Sequence, residues 1–112
     1  PKISRDLIHI DDLIKFYIKI ANKKDLIGEI FNLGNGKKYT IKVIYNSLKK
    51  LTGYKKKNLW STMKNRTWDQ TTWYADMSYV KRRINWTPKL NLNNGLSKTI
   101  NWYKDFYNEK KR

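Results

Sequence analysis

Residues 5–12, RDLIHIDD, constrain the fold more than any other stretch of the chain. An unlike-charge pair opens it, Leu7, Ile8, His9 and Ile10 follow, and two acids close it directly ahead of an apolar-periodic run. That order predicts a short strand feeding a helix N-terminus. Asp11 is the expected N-cap, accepting backbone N–H bonds, and Asp12 sits at the positive end of the helix dipole. The Leu and Ile side chains are expected to bury the strand, which leaves Arg5 at its mouth, facing whatever the fold binds. Strand alternation sets His9 on the face opposite Ile8 and Ile10, near the strand's exit.

Beyond the cap, Leu13, Phe16, Tyr17 and Ile20 recur at helical spacing and predict a helix to about residue 22. Ile14, Ile18 and Ala21 widen the stripe, so cover on more than one side is expected. Residues 25–28 turn the chain and residues 29–33 read as a buried strand. It ends in Gly34-Asn35-Gly36, where two glycines permit positive φ and close backbone approach. This is not a dinucleotide fingerprint, because the third glycine it needs is replaced by Tyr39. Thr40 caps the next helix, with Ile41, Ile44, Leu48 and Leu51 inward and Gly53 as its stop. Tyr45 and Lys49 in it match a Tyr-x-x-x-Lys spacing that abundant Tyr and Lys produce by chance. Residues 54–72 have the weakest periodicity and predict a short edge strand, then a mobile loop. Asp76 caps a short helix over residues 77–84, Asn85 suits a left-handed C-terminus, and Pro88 leads the chain out. Asn91 caps the last helix, with Leu92, Leu96, Ile100, Tyr103 and Phe106 as its buried stripe and fraying from residue 108.

With 112 residues, 39% apolar and 14% aromatic, the chain can form one small domain with a modest core. Absent cysteine excludes disulfides and thiolate metal sites, and a lone His9 excludes a histidine cluster. No apolar run is long enough to cross a bilayer and the first residues lack a secretion signal, so a cytoplasmic protein is the default. Pro1 directly ahead of a strand suggests a piece of something longer. Lys and Arg number 25 against nine acids, a formal charge of +16. Such a field attracts polyanions, or reflects lysine-rich composition; only residues 55–57 and 110–112 form tight basic runs, which favours the second reading. Trp60, Trp68 and Trp73 among these lysines suit stacking on single-stranded nucleic acid, or a loop over a nucleotide diphosphate. Arg66, then Asp69, then YADMS favour the diphosphate.

These segments together resemble a known family. RDLIHIDD resembles the RDF(I/V)(H/Y)V(D/E)D segment of the extended short-chain dehydrogenase/reductases, the nucleotide-sugar epimerases and dehydratases. FNLGNG resembles their FN(I/V)G(S/N)G element. Residues 66–86, RTWDQTTWYADMSYVKRRINW, resemble R-x-G-D followed by x-AD-x-S-K-A-x-x-x-LGW, and the last helix resembles SLEEGLRKTIEWY. The resemblance implies a small mixed α/β, C-terminal substrate-binding portion over residues 1–108, with the Rossmann front half absent and a basic tail at 109–112. It implies that Arg5 and Arg66 hold the diphosphate of a nucleotide sugar and that Asp69 orients the nucleotide. Paired guanidinium forks suit that oxygen array in a way lysine cannot copy. His9, Asn32, Gly34, Gly36 and Trp68 would line the cleft. In the whole enzyme, a homodimer, NAD or NADP held by the missing N-terminal Rossmann domain would oxidise a sugar hydroxyl transiently and then reduce the intermediate. This portion would bind no cofactor, no specific nucleic acid and no membrane, and would be catalytically silent alone. Trp68 replaces the family's Gly, Tyr79 its Lys, Asn85 its Gly, and Asn93 and Asn94 its first-turn acids. The alternatives are a small basic nucleic-acid-binding module and a structural or interaction domain that keeps the fold without the ligand.

Overall fold

Ser4–Arg5 (β1) forms the middle of a three-stranded sheet. Tyr39–Thr40 (β2) pairs with it antiparallel and Thr72–Trp73 (β3) parallel, which sets Arg5 level with Tyr39 on one side and Trp73 on the other. The computed structural model describes residues 2–57, 59, 60, 62, 64, 68 and 70–110. Strands of two residues carry few ladder bonds, and flanking contacts extend them. The Ser4 N–H donates to the Thr71 carbonyl at 2.8 Å, the Ile41 N–H to the Ile3 carbonyl at 2.9 Å, and the Ser4 hydroxyl to that of Thr72 at 3.3 Å.

The first helix, Ile10–Ile20 (α1), starts one residue before the expected cap. Its N-cap is His9, not Asp11: His9 keeps extended backbone and its Nδ1 accepts the Asp11 N–H at 3.1 Å. Asp11, already helical, turns its carboxylate to Lys98, whose ammonium holds it below the usual aspartate range. Asp12 is buried, and one of its oxygens accepts the N–H groups of Lys89 and Leu90 at 3.0 and 2.8 Å, which ties α1 to the segment after Pro88. After a 3-10 turn at Lys24–Leu26, the remaining helices are Ile41–Thr52 (α2), Ser78–Ile84 (α3) and Leu92–Glu109 (α4). Thr40 caps α2 through the Val43 N–H and Gly53 ends it at φ 69°. Asn91 caps α4 through the Asn94 N–H. Asp76 lies one residue ahead of the α3 cap, Met77, yet its carboxylate accepts the Ser78 N–H at 2.8 Å, and that bond lowers its pKa. Asn85 closes α3 at φ 51°, the left-handed geometry that asparagine tolerates.

Phe16, Leu26, Val80 and Ile84 form the core, with Ile20, Phe31, Leu33, Met77 and Trp86 packed around them. Phe16 meets Phe31 and Trp86 edge to face, centroids 5.8 and 5.0 Å apart. The expected strand at residues 29–33 is not one. It keeps strand-like alternation, with Glu29, Phe31 and Leu33 half-buried and Ile30 and Asn32 exposed, but β2 and β3 already occupy both edges of β1. Along one side, the Tyr79 hydroxyl and the Arg83 guanidinium bind the Glu29 carboxylate at 2.6 and 3.0 Å and lower its pKa. The core is shallow. Principal extents of 51 × 44 × 20 Å and a radius of gyration of 17.3 Å describe a slab, against about 13 Å for a compact domain of this length. Ile14 and Ile18, expected to be covered, are exposed, as are Tyr103 and Phe106 of the supposed buried stripe on α4. The slab has no further layer over these faces among the described residues.

Candidate functional site

The sheet and two loops line an open cavity of about 470 Å³. β1 and the residues after it contribute Arg5, Asp6 and Ile8, the approach to the Gly-Asn-Gly turn contributes Asn32, Leu33 and Gly34, and the end of β3 contributes residues 73–76. Stretches far apart in sequence therefore become three walls of one site. Arg5 is half-buried, and its Nη1 donates to the Ser4 and Gln70 carbonyls, both at 2.9 Å, which fixes the plane of the guanidinium.

Behind Arg5, the Asp6 carboxylate joins the walls. Its Oδ1 accepts the Asn35 N–H at 2.7 Å, and its Oδ2 accepts those of Gly36 and Ala75 at 2.9 and 3.1 Å. Gly34 fits beneath it for want of a side chain: a Cβ there would lie 2.2 Å from Asp6 Oδ2 and 2.7 Å from the Ala75 Cβ. The Gly34 N–H donates to the Met77 sulfur at 3.3 Å, and the Asn35 amide donates to the Leu90 carbonyl at 3.1 Å. Gly36 turns at φ 71° over Met77. The turn is thus fastened at each of its three residues.

Of the residues singled out in the sequence, Arg5, Asn32 and Gly34 meet at this cavity, and Gly36 lies two residues beyond Gly34, outside the cavity's lining. Trp68 is largely exposed and is not among the lining residues. Arg66 and Asp69 lie outside the described residues. His9 lines a different feature, a larger and mostly apolar groove of about 800 Å³ between residues 7–11 and α4. There its ring lies against Gly95, where an added Cβ would meet it at 3.5 Å. The Tyr45 hydroxyl reaches the Lys56 carbonyl at 3.4 Å, away from the cavity. Among the described residues no cluster of His, Asp and Glu could hold a metal, and no helix is long and apolar enough to cross a membrane. Asp6 escaped the sequence reading. Its partners lie 29 to 69 residues away, and the one hint was an amide-rich turn that needed an acceptor.

No protein-family model matches the chain. UDP-glucuronate 4-epimerase of Thermodesulfobacterium geofontis is 37% identical over 103 residues, which cover 91% of this chain and 31% of that protein. A crystal structure of UDP-glucose 4-epimerase from Thermotoga maritima, solved with UDP-glucose, matches 95% of the chain at a TM-score of 0.83 and 26% identity. The chain is homologous to the nucleotide-sugar epimerases and dehydratases. It spans about a third of the length of the epimerases it matches. dTDP-glucose 4,6-dehydratase from Bacillus anthracis, solved with NAD, shares the fold at a TM-score of 0.69 and 22% identity. Among the described residues, four helices and a small mixed sheet make a small mixed α/β unit, consistent with part of an extended dehydrogenase/reductase architecture and not with a complete Rossmann fold.

Proposed function

We propose that the chain is the substrate-side portion of an enzyme that modifies a nucleotide sugar, and that the cavity at Arg5 receives the substrate's diphosphate. The observation that carries this reading is the position of Arg5. A guanidinium with its plane fixed stands on the central strand of a cavity with three walls, in a fold shared with an epimerase solved with UDP-glucose. A diphosphate presents several oxygens, and a preset guanidinium meets them with charge-assisted bonds at little entropic cost. Arg66 and Asp69 are proposed to complete the clamp and to orient the nucleotide.

The Gly-Asn-Gly turn does not fit a dinucleotide cofactor. Its Asn35 and Gly36 N–H groups are bound to Asp6, so they do not cradle a pyrophosphate. In this reading NAD or NADP, and the hydride chemistry with it, belong to an N-terminal Rossmann portion of a longer, cytoplasmic, homodimeric enzyme, and this portion alone is inactive. The exposed apolar faces of α1 and α4 suit burial against further protein. Calorimetric titration with UDP-, GDP-, CDP- and dTDP-linked sugars tests the reading. At least one should bind, and Arg5→Ala should weaken it by a few kcal/mol, with Arg5→Lys recovering part. Equal affinity of all three proteins would refute the assignment of Arg5.

A further inference from the structure

The three walls of the cavity share one fastening point, the Asp6 carboxylate. It accepts backbone N–H groups from Asn35 and Gly36, in the turn that continues one wall, and from Ala75 in another, while belonging itself to the third. We propose that Asp6 is a positioning residue, holding these walls at the separation that nucleotide-sugar binding requires. The inference rests on the ligand reading given above.

Two observations carry it. First, the packing is closed around the carboxylate: Gly34 has no room for a methyl group because Asp6 Oδ2 and the Ala75 Cβ stand where it would go. The Gly-Asn-Gly turn is therefore seated on Asp6, and the turn's approach residues, Asn32 and Leu33, take their place in the cavity from it. Second, the donors are occupied. Backbone N–H groups at a glycine-rich turn commonly form an anion cradle, but here the anion is the protein's own. The ligand's diphosphate must then be met by side chains, Arg5 first, whose neighbour in sequence is the residue that fixes the opposing walls.

The sign of the effect separates positioning from charge. Removing a carboxylate beside an anion-binding cavity relieves repulsion and, acting through charge alone, tightens binding of a diphosphate. A positioning role predicts the reverse. Asp6→Ala should weaken binding of the nucleotide sugar selected from the titration panel at least tenfold and speed hydrogen exchange at the Asn35, Gly36 and Ala75 amides. Sodium formate, which supplies a carboxylate to the vacated amides, should restore part of both, and sodium chloride at equal ionic strength should not. Asp6→Asn, which keeps the shape and one acceptor oxygen, should show a smaller loss that formate does not reverse, and it serves if Asp6→Ala does not fold. Unchanged or tightened binding in a folded variant whose three amides exchange faster would overturn the proposal. Failure of the unaltered protein to bind any member of the panel would instead refute the ligand reading, and this inference with it, before any variant is made.

Discussion

Replacing Gly34 by alanine should destabilise the protein far more than the same change at Gly53, for opposite physical reasons. Gly34 has no positive φ, so alanine suits its backbone, but the new Cβ would meet Asp6 Oδ2 at 2.2 Å and the Ala75 Cβ at 2.7 Å. Neither is the far end of a long side chain. Relief requires the carboxylate to leave its three N–H donors or the turn to lift from Ala75. Hydrogen bonds to a charged group are worth about 1.5–3 kcal/mol each and are not additive, so a loss on the order of 3–5 kcal/mol is expected. Gly53 lies in open space at φ 69°. Alanine there incurs only left-handed strain, roughly 1–2 kcal/mol. Urea unfolding followed by tryptophan fluorescence and far-ultraviolet circular dichroism measures both, and the gap should be about 1–4 kcal/mol. A Gly34→Ala loss no larger than that of Gly53→Ala would refute the closed packing at Asp6, and the account of the cavity walls with it.

His9→Phe removes the α1 cap and should lower stability by about 1 kcal/mol, while His9→Asn, which also caps, should stay close to the native value in the same assay. Asp12→Ala leaves the Lys89 and Leu90 N–H groups without their acceptor and should lower stability by on the order of 2–4 kcal/mol; a change within 0.5 kcal/mol, roughly the noise of a surface substitution, would contradict that tie. Glu29 ionises more readily when folded than at its ordinary 4.5, because Tyr79 and Arg83 bond it. Its stabilisation is therefore complete above pH 4.5 and is lost as pH falls through the lower folded value, so Glu29→Gln should flatten the acid limb of urea midpoint against pH. An unchanged limb would remove Glu29 from the account. Single-stranded and duplex oligonucleotides should bind weakly and release by roughly 0.2 M salt, as counterion release predicts; submicromolar anisotropy signals at physiological salt would favour the nucleic-acid reading.

Most helix ends are legible in the sequence, and long-range contacts are not. Thr40, Gly53, Asn85 and Asn91 act through neighbours within four residues, and all four helix ends follow their side-chain chemistry. The sequence favours Asp11 as the cap because histidine is an unusual one, although His9 Nδ1 accepts as an aspartate oxygen would. The apolar stripes of α1 and α4 predict burial, yet Ile14, Ile18, Tyr103 and Phe106 are exposed. Periodicity reports that a face seeks cover, not whether the same chain supplies it. At the site, Arg5, Asn32 and Gly34 were legible through motif resemblance, whereas Asp6 was hidden because its role exists only once the turn and the Ala75 segment have been brought to it.

The most direct test of the central claim is where a nucleotide sugar binds. Backbone amide chemical shifts, followed during titration with UDP-glucose and then the other members of the panel, distinguish the cavity at Arg5 from the groove at His9. Binding at the cavity should concentrate the shifts at Arg5, at residues 32–36 and at residues 73–76, saturating together, with the groove at His9, Gly95 and Trp102 unmoved. Shifts that cluster along that groove instead, with the Gly-Asn-Gly turn and Ala75 silent, would contradict it.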